Sequence, residues 1–201
     1  MHNKKLKDFT FAKRASSYDE GFEGKASRKF YSLMLREVKL TAGASVLDMG
    51  CGTGELLRQL SNACAIDGYG VDAEHNMIAV AKCKCPRMHF QQARCEETPF
   101  DDQSFDAVIA CMAYHHFADK EGFAREAARL LKPGGFLYVA DPRFPLFVRK
   151  AINGVVRHIG VAGEFFAPEE IAARFSGFGF ELAGIAFDGY AQVVTLKRLC
   201  G

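Results

Sequence analysis

Short apolar runs alternate with segments of helical period along most of this chain, and that alternation limits its fold more than any other feature. It predicts βαβ units around a parallel sheet, since a strand covered on both faces reads as a continuous apolar run and its crossover helix as a one-sided stripe. Val46-Leu47-Asp48 leads into glycines 50, 52 and 54, and Glu55 to Leu60 reads as a helix. Tyr69 to Asp72 reads as a second strand, followed by a helix with Met77, Ile78 and Ala81 inward. His89 to Cys95, Phe105 to Cys111 and Phe136 to Ala140 supply strands three to five. Between the last two, Asp119 caps a helix whose Phe123, Ala127, Leu130 and Leu131 share a face, and Pro133-Gly134-Gly135 stops it. Phe144 to Gly163, with Phe147, Ala151 and Val155 four apart, and a helix opened by Pro168 form an insertion over the sheet edge. Leu182 to Phe187 and Tyr190 to Leu196 flank Asp188-Gly189, a dipeptide that favours a two-residue hairpin, so these strands are expected to be antiparallel. Ahead of the sheet, Lys5 to Leu40 forms an arm with Phe30, Leu33, Met34 and Val38 on one helical face.

With 201 residues, 49% of them apolar and 25% charged, the chain is a single globular domain plus its arm, and global disorder is excluded. A net charge of +2 supplies no broad field for polyanions. Only Lys4, Lys5, Lys7, Lys13 and Arg14 suggest nucleic acid, which is not an expected partner. Seven cysteines, odd in number and scattered through apolar stretches, suit reduced thiols. Cys83-x-Cys85 lacks the second pair that a zinc site needs, so no metal is expected. Met1 to Lys13 has no signal-peptide core, and no segment approaches the roughly 20 apolar residues that span a bilayer. The chain reads as cytoplasmic, without a membrane partner; its oligomeric state is not legible.

The glycine turn at Gly50, Gly52 and Gly54 joins strand to helix, where a ligand can approach bare backbone closely. A tight turn with nothing bound would also explain it. Asp72, at the tip of the next strand, favours a ligand, because a carboxylate there can accept from two ribose hydroxyls; its other reading is a cap for the helix from Glu74. Glu55 stands where a dinucleotide fingerprint needs its third glycine, and the terminal hairpin departs from the dinucleotide fold. A nucleoside without pyrophosphate fits better than a nicotinamide dinucleotide.

Five motifs in order then resemble one family. They are Val46-Leu47-Asp48-Met49-Gly50-Cys51-Gly52-Thr53-Gly54, Gly70-Val71-Asp72, Glu96-Glu97-Thr98-Pro99-Phe100, Phe105-Asp106-Ala107-Val108 and Leu131-Lys132-Pro133-Gly134-Gly135. From Tyr18 to about Asp141 the chain is similar to the class I, seven-stranded S-adenosylmethionine-dependent methyltransferases, in their type-11 or ubiquinone-biosynthesis-like small-molecule group. The resemblance implies an α/β, doubly wound, mostly parallel sheet in the order 3-2-1-4-5-7-6, its last strand antiparallel, with helices on both faces. Residues 1–40 become an arm over the cofactor site, and residues 41–201 a Rossmann-like domain with a helical insertion near 143–176.

It implies S-adenosyl-L-methionine as cofactor, S-adenosyl-L-homocysteine as product, and roles for named residues. Gly50, Cys51, Gly52 and Gly54 would hold the methionine moiety and Asp72 the ribose, while Asp48 would orient the loop and favour the cofactor's cationic end. The turn after strand three would hold adenine. The family commonly has an acidic residue where Arg94 stands, and arginine cannot accept a hydrogen bond, so that contact falls to the backbone of Cys95 and Glu96. Ala110, near the end of strand four, completes the set. Arg14 could pair with the methionine carboxylate and Tyr18 cover the site.

His115 lies in the loop after strand four, at the carboxyl end of the sheet, where an imidazole could take a proton from an acceptor. Asp141 could position a substrate amine or cap the next segment. Phe144, Phe147, Phe165 and Phe166 read as core or as a pocket wall. The expected activity is methyl transfer to a small, aromatic or apolar acceptor. The alternative is a binding module or partner subunit that keeps the cofactor site without catalysis.

Overall fold

The structure, a computed structural model, describes residues 15–158 and 163–200. Seven strands form one sheet: β1 (Ala44–Met49), β2 (Ile66–Asp72), β3 (His89–Gln92), β4 (Phe105–Cys111), β5 (Leu131–Pro142), β6 (Phe180–Asp188) and β7 (Ala191–Arg198). They lie in the order β3-β2-β1-β4-β5-β7-β6, as expected. β1 to β5 pair in parallel, and β7 runs antiparallel to both β5 and β6.

Both faces are covered, which is why the strands read as unbroken apolar runs. On one face, Phe30, Leu33 and Met34 of α1 (Phe22–Glu37), Leu56, Leu57 and Leu60 of α2 (Glu55–Ala63) and Ile78 and Ala81 of α3 (His75–Lys84) pack on Val46, Ala107 and Ile109. On the other, Phe123, Ala127 and Leu130 of α4 (Lys120–Leu130) pack on Leu47, Val108 and Val139. A pair of further helices, α5 (Leu146–His158) and α6 (Pro168–Ser176), lies between β5 and β6 in the chain. Ile171 and Phe175 of α6 join the second core. The helix starts follow local chemistry: the Asp119 side chain accepts from Gly122 N at 2.7 Å, and Glu170 reaches back to Ala167 N at 2.9 Å.

Several boundaries differ from the sequence reading, four of them instructively. β3 ends at Gln92, not Cys95, because the chain turns back on itself where Arg94 bridges Glu97. β5 begins at Leu131, paired with Phe105, and Pro133-Gly134-Gly135 makes a register shift inside the strand instead of a stop before it. The hairpin loop is Gly189-Tyr190, one residue later than expected, since Asp188 pairs with Ala191. Gly189 takes the positive φ of 57°, and the Asp188 carboxylate turns to Lys29 at 2.8 Å and Arg36 at 3.3 Å. In the arm, Val38 caps α1 in extended conformation and packs on the core from outside the helix; residues 1–14, Arg14 included, lie outside the described residues.

Candidate cofactor site

Parallel pairing of β1 with β2 brings Met49 beside Val71, so the two strand tips expected to grip a ligand are neighbours. Gly50 N and Cys51 N both donate to Val71 O, at 2.8 and 3.0 Å, and Gly52 N donates to Asp72 Oδ2 at 2.9 Å. Two glycines are required for different reasons. A Cβ on Gly50, at φ +86°, would lie 2.6 Å from Ala113 Cβ, so this glycine lets the β1 and β4 loops touch. Gly52, at φ +52°, has nothing within 4 Å of its Cβ position and faces open space. Asp72 combines its two readings: Oδ1 accepts from Glu74 N at 2.9 Å while Oδ2 holds the loop, and each oxygen keeps a lone pair for a further donor.

Asp48 sits beneath, 2% exposed, and its Oδ1 has no hydrogen-bond partner. Burial, then the nearby Asp72 charge, lifts its pKa from 3.8 to about 8. A cationic group arriving here would meet a carboxyl that lacks a counter-charge. Cys51 is buried beside it, with a thiol pushed up by the same desolvation.

The sequence reading missed a clasp and a tyrosine. Asp19 Oδ1 accepts from Thr53 Oγ1 at 2.8 Å, and Lys84 Nζ bonds Asp19, Thr53 Oγ1 at 2.9 Å and Glu55 at 3.4 Å. These bonds tie the short 3₁₀ helix Ala15–Glu20, with half-buried Tyr18, to the glycine loop. The Arg58 hydrogen bond, aided by Gln59 and Lys84, holds Glu55 down at about 2. Tyr31, on α1, has its hydroxyl pKa driven up by burial and by Cys111, Tyr18 and Asp48 around it, which puts it at the same end of the sheet. Residues far apart in sequence leave no local signal for such contacts; the i to i+4 spacing of Ser27 and Tyr31, which share a hydrogen bond, was the one trace.

At the turn after β3, the Arg94 guanidinium is bonded to the Glu96 carboxylate, and Cys95 Sγ donates to Glu96 Oε2 at 3.2 Å. The positive charge at position 94 is thus neutralised two residues on. Ala110 is fully buried in the second core and offers the site no side-chain surface.

His115 and Asp141 meet at the ends of β4 and β5. Asp141 Oδ2 accepts from His115 N and its Oδ1 lies 2.8 Å from His115 Nδ1, both groups buried. Asp141 therefore fixes the loop after β4, 26 residues before it, instead of capping the segment that follows it. A carboxylate on Nδ1 sets the neutral ring with its proton there and leaves Nε2 as an acceptor. Phe165 stacks on the imidazole at 4.9 Å, and Phe144 meets Phe165 edge-on at 5.1 Å. Phe166 is core, whereas Phe147 is 68% exposed and lines no wall. Met112 holds φ 55°, an unusual backbone for a side chain, one residue beyond β4. Among the described residues no group of three His, Cys, Asp or Glu side chains could hold a metal ion.

The donor set fits an adenosyl sulfonium: an open main-chain cradle at Gly52, a ribose-type carboxylate at Asp72, and an unpartnered buried oxygen at Asp48 for positive charge. Residues 47–139 match a family profile described as a methyltransferase domain. The chain is 35% identical over 100 residues to a demethylmenaquinone methyltransferase of Chlorobaculum tepidum, covering 50% of this chain and 41% of that protein. It is 34% identical over 108 residues to a 27-O-demethylrifamycin SV methyltransferase of Amycolatopsis mediterranei, covering 51% and 40%. It thus spans less than half the length of these relatives. Among solved structures, the methyltransferase subunit in a complex with the Haloferax volcanii Trm112 activator superposes with a TM-score of 0.80 at 23% identity, over 95% of this chain and 98% of that one. This last likeness is one of fold.

Proposed function

We propose that this chain, whose residues 47–139 match a methyltransferase-domain profile, is a class I methyltransferase of the type-11 group and moves a methyl group from S-adenosylmethionine to a small, aromatic or apolar acceptor. The observation that carries this reading is the joined pair of strand tips, Gly52 N on Asp72 at 2.9 Å, above the unpartnered Asp48 oxygen. When bound, the donor supplies an electrophilic methyl on a cationic sulfur, so the protein's task is alignment and exclusion of water.

In this reading Asp72 accepts from the ribose hydroxyls while keeping its hold on Gly52. Gly50, Cys51, Gly52 and Gly54 present main chain to the methionine portion, and Asp48 ionises against its positive charge. Cys95 and Glu96 offer backbone to the adenine, and Ala110 contributes main chain alone. Tyr18, tied down through Asp19, covers the site, and Arg14 pairs with the donor's carboxylate. His115, turned by Asp141, takes a proton from the acceptor at Nε2, and Phe165 and Phe144 shield it from water. The names of the relatives, for a menaquinone precursor and a rifamycin precursor, support a small-molecule acceptor.

Calorimetry with S-adenosylmethionine and S-adenosylhomocysteine tests the binding step, and transfer of a labelled methyl group to a panel of quinols and phenols tests the chemistry. Transfer to an acceptor of this class is the expected result. Absence of binding removes the reading, and binding without transfer to any acceptor assigns the chain to a module that holds the ligand without catalysis.

A further inference from the structure

Helix α5 is built inside out. Its regular stripe of Phe147, Ala151 and Val155 faces solvent: Leu146, Phe147, Val148 and Val155 are 56%, 68%, 41% and 60% exposed. Beneath them, Arg149, only 7% exposed, bonds Glu170 through both guanidinium nitrogens at 2.8 and 3.0 Å. Asn153 holds both the N–H and the carbonyl of Phe165 at 2.9 Å. None of its apolar side chains joins either core cluster. A water-facing helix ordinarily shows the opposite arrangement, so these large side chains mark a surface that something covers.

Charge identifies what covers it. From Pro142 to Gly163 the sequence contains no acidic residue and carries Arg143, Arg149, Lys150, Arg157 and His158. Glu170 neutralises Arg149, but Lys150 is exposed among the apolar side chains. Arg143 stacks at 4.4 Å on Phe187, itself 50% exposed, and so carries the rim on to the tip of the β6–β7 hairpin. The chain's own first fourteen residues are basic as well, with Lys4, Lys5, Lys7, Lys13 and Arg14 against Asp8, and a second copy would set Lys150 against like charge. Apolar side chains ringed by cations, with the neighbouring Glu170 and Asp188 taken up by Arg149 and by Lys29 and Arg36, match the boundary between anionic headgroups and acyl chains.

We propose that α5 lies on an anionic lipid surface, with Leu146, Phe147, Val148 and Val155 sunk at the headgroup level and Lys150 and Arg143 on the headgroups. No described helix is long and apolar enough to cross a membrane, and lying on one requires no such helix. Resting on the proposed methyl transfer, the placement also names the acceptor's source: on its inner side α5 holds the Phe165 backbone through Asn153, and the Phe165 ring stacks on His115, so the lipid-facing helix is joined to the imidazole and suits an acceptor dissolved in that surface.

Flotation of the full chain with phosphatidylcholine vesicles, with and without phosphatidylglycerol, tests the surface apart from any chemistry. The expected result is flotation with the anionic vesicles only, weakened by added salt, and reduced roughly tenfold or more in a Phe147→Asp/Val155→Asp variant. Lys150→Glu, an exposed change with little folding risk, is expected to weaken it less. A lack of flotation with anionic vesicles overturns the proposal, and so does flotation that both variants leave unchanged, which would belong to the basic arm. A dimer in solution that Phe147→Asp dissociates also overturns it, by making a second copy the occupant. A melting point raised by S-adenosylhomocysteine in wild type and variants shows that the fold and the cofactor site are intact. Flotation without that rise leaves the surface standing and removes the methyltransferase reading instead.

Discussion

Asp72 serves two neighbours at once, and that sets the cost of removing it. Asp72→Ala frees two backbone donors and deletes the proposed ribose contact, so binding of S-adenosylmethionine is expected to weaken by about 1–3 kcal/mol, read by calorimetry. Unchanged affinity would take Asp72 out of the site. His115→Ala is expected to leave donor affinity alone and lower turnover by about two to four orders of magnitude once an acceptor is in hand, the usual reach of a positioned base. Full turnover in that variant would reduce the His115–Asp141 pair to a loop fastening. The sequence carried Asp72 and Asp141 because each stands at or near a strand end, which periodicity locates, and His115 because it lies in the loop just beyond one. It did not carry Asp19, Thr53 and Lys84 as a unit, because polar and charged residues 31 to 65 positions apart look like solvated surface until the fold joins them.

Among the elements, the glycine loop separates stability from binding. Gly50→Ala would force a side chain against Ala113 at a positive φ, and a loss of roughly 2 kcal/mol or more is expected in thermal unfolding. Gly52→Ala meets no atom, so only about 1–2 kcal/mol of backbone strain is expected, but its methyl would occupy the open cradle and should weaken donor binding by more than it weakens the fold. Equal effects of the two substitutions on melting and on calorimetric affinity would refute this division. Helices and strands were legible where one covered face imposed a period, as at Phe123, Ala127 and Leu130. Boundaries set by turn geometry were not. Asp188-Gly189 reads as a hairpin dipeptide, yet Asp188 stays in the strand to meet Lys29 and Arg36, and the positive φ moves to Gly189 alone. The stripe on α5 was legible as helix but not as outward-facing, since period alone says nothing about direction.

Across the whole molecule, stability should depend on pH from two sides. Asp48 keeps its proton up to about pH 8 when folded but ionises near 4 when unfolded, so unfolding releases a proton in that window. Stability of the ligand-free protein is therefore expected to fall as pH rises through it and to level off above, an effect on the order of several kcal/mol at most. Asp48→Asn should flatten the dependence. A ligand with a sulfonium favours the ionised carboxyl, so S-adenosylmethionine should protect more at the upper end than S-adenosylhomocysteine, as melting points across pH would record. On the acid side Glu55, held down by Arg58, contributes stability above the ordinary carboxylate range that is lost as pH falls towards 2.

The strand order has a consequence for assembly over time. β6 emerges before β7 yet touches the sheet only through it, so β6 has no seat until its successor exists. The two must zip together across the tight Gly189-Tyr190 bend and dock as a single piece. That bend makes the closing step of this fold a local event, quick to form although the strand it delivers is an inner one.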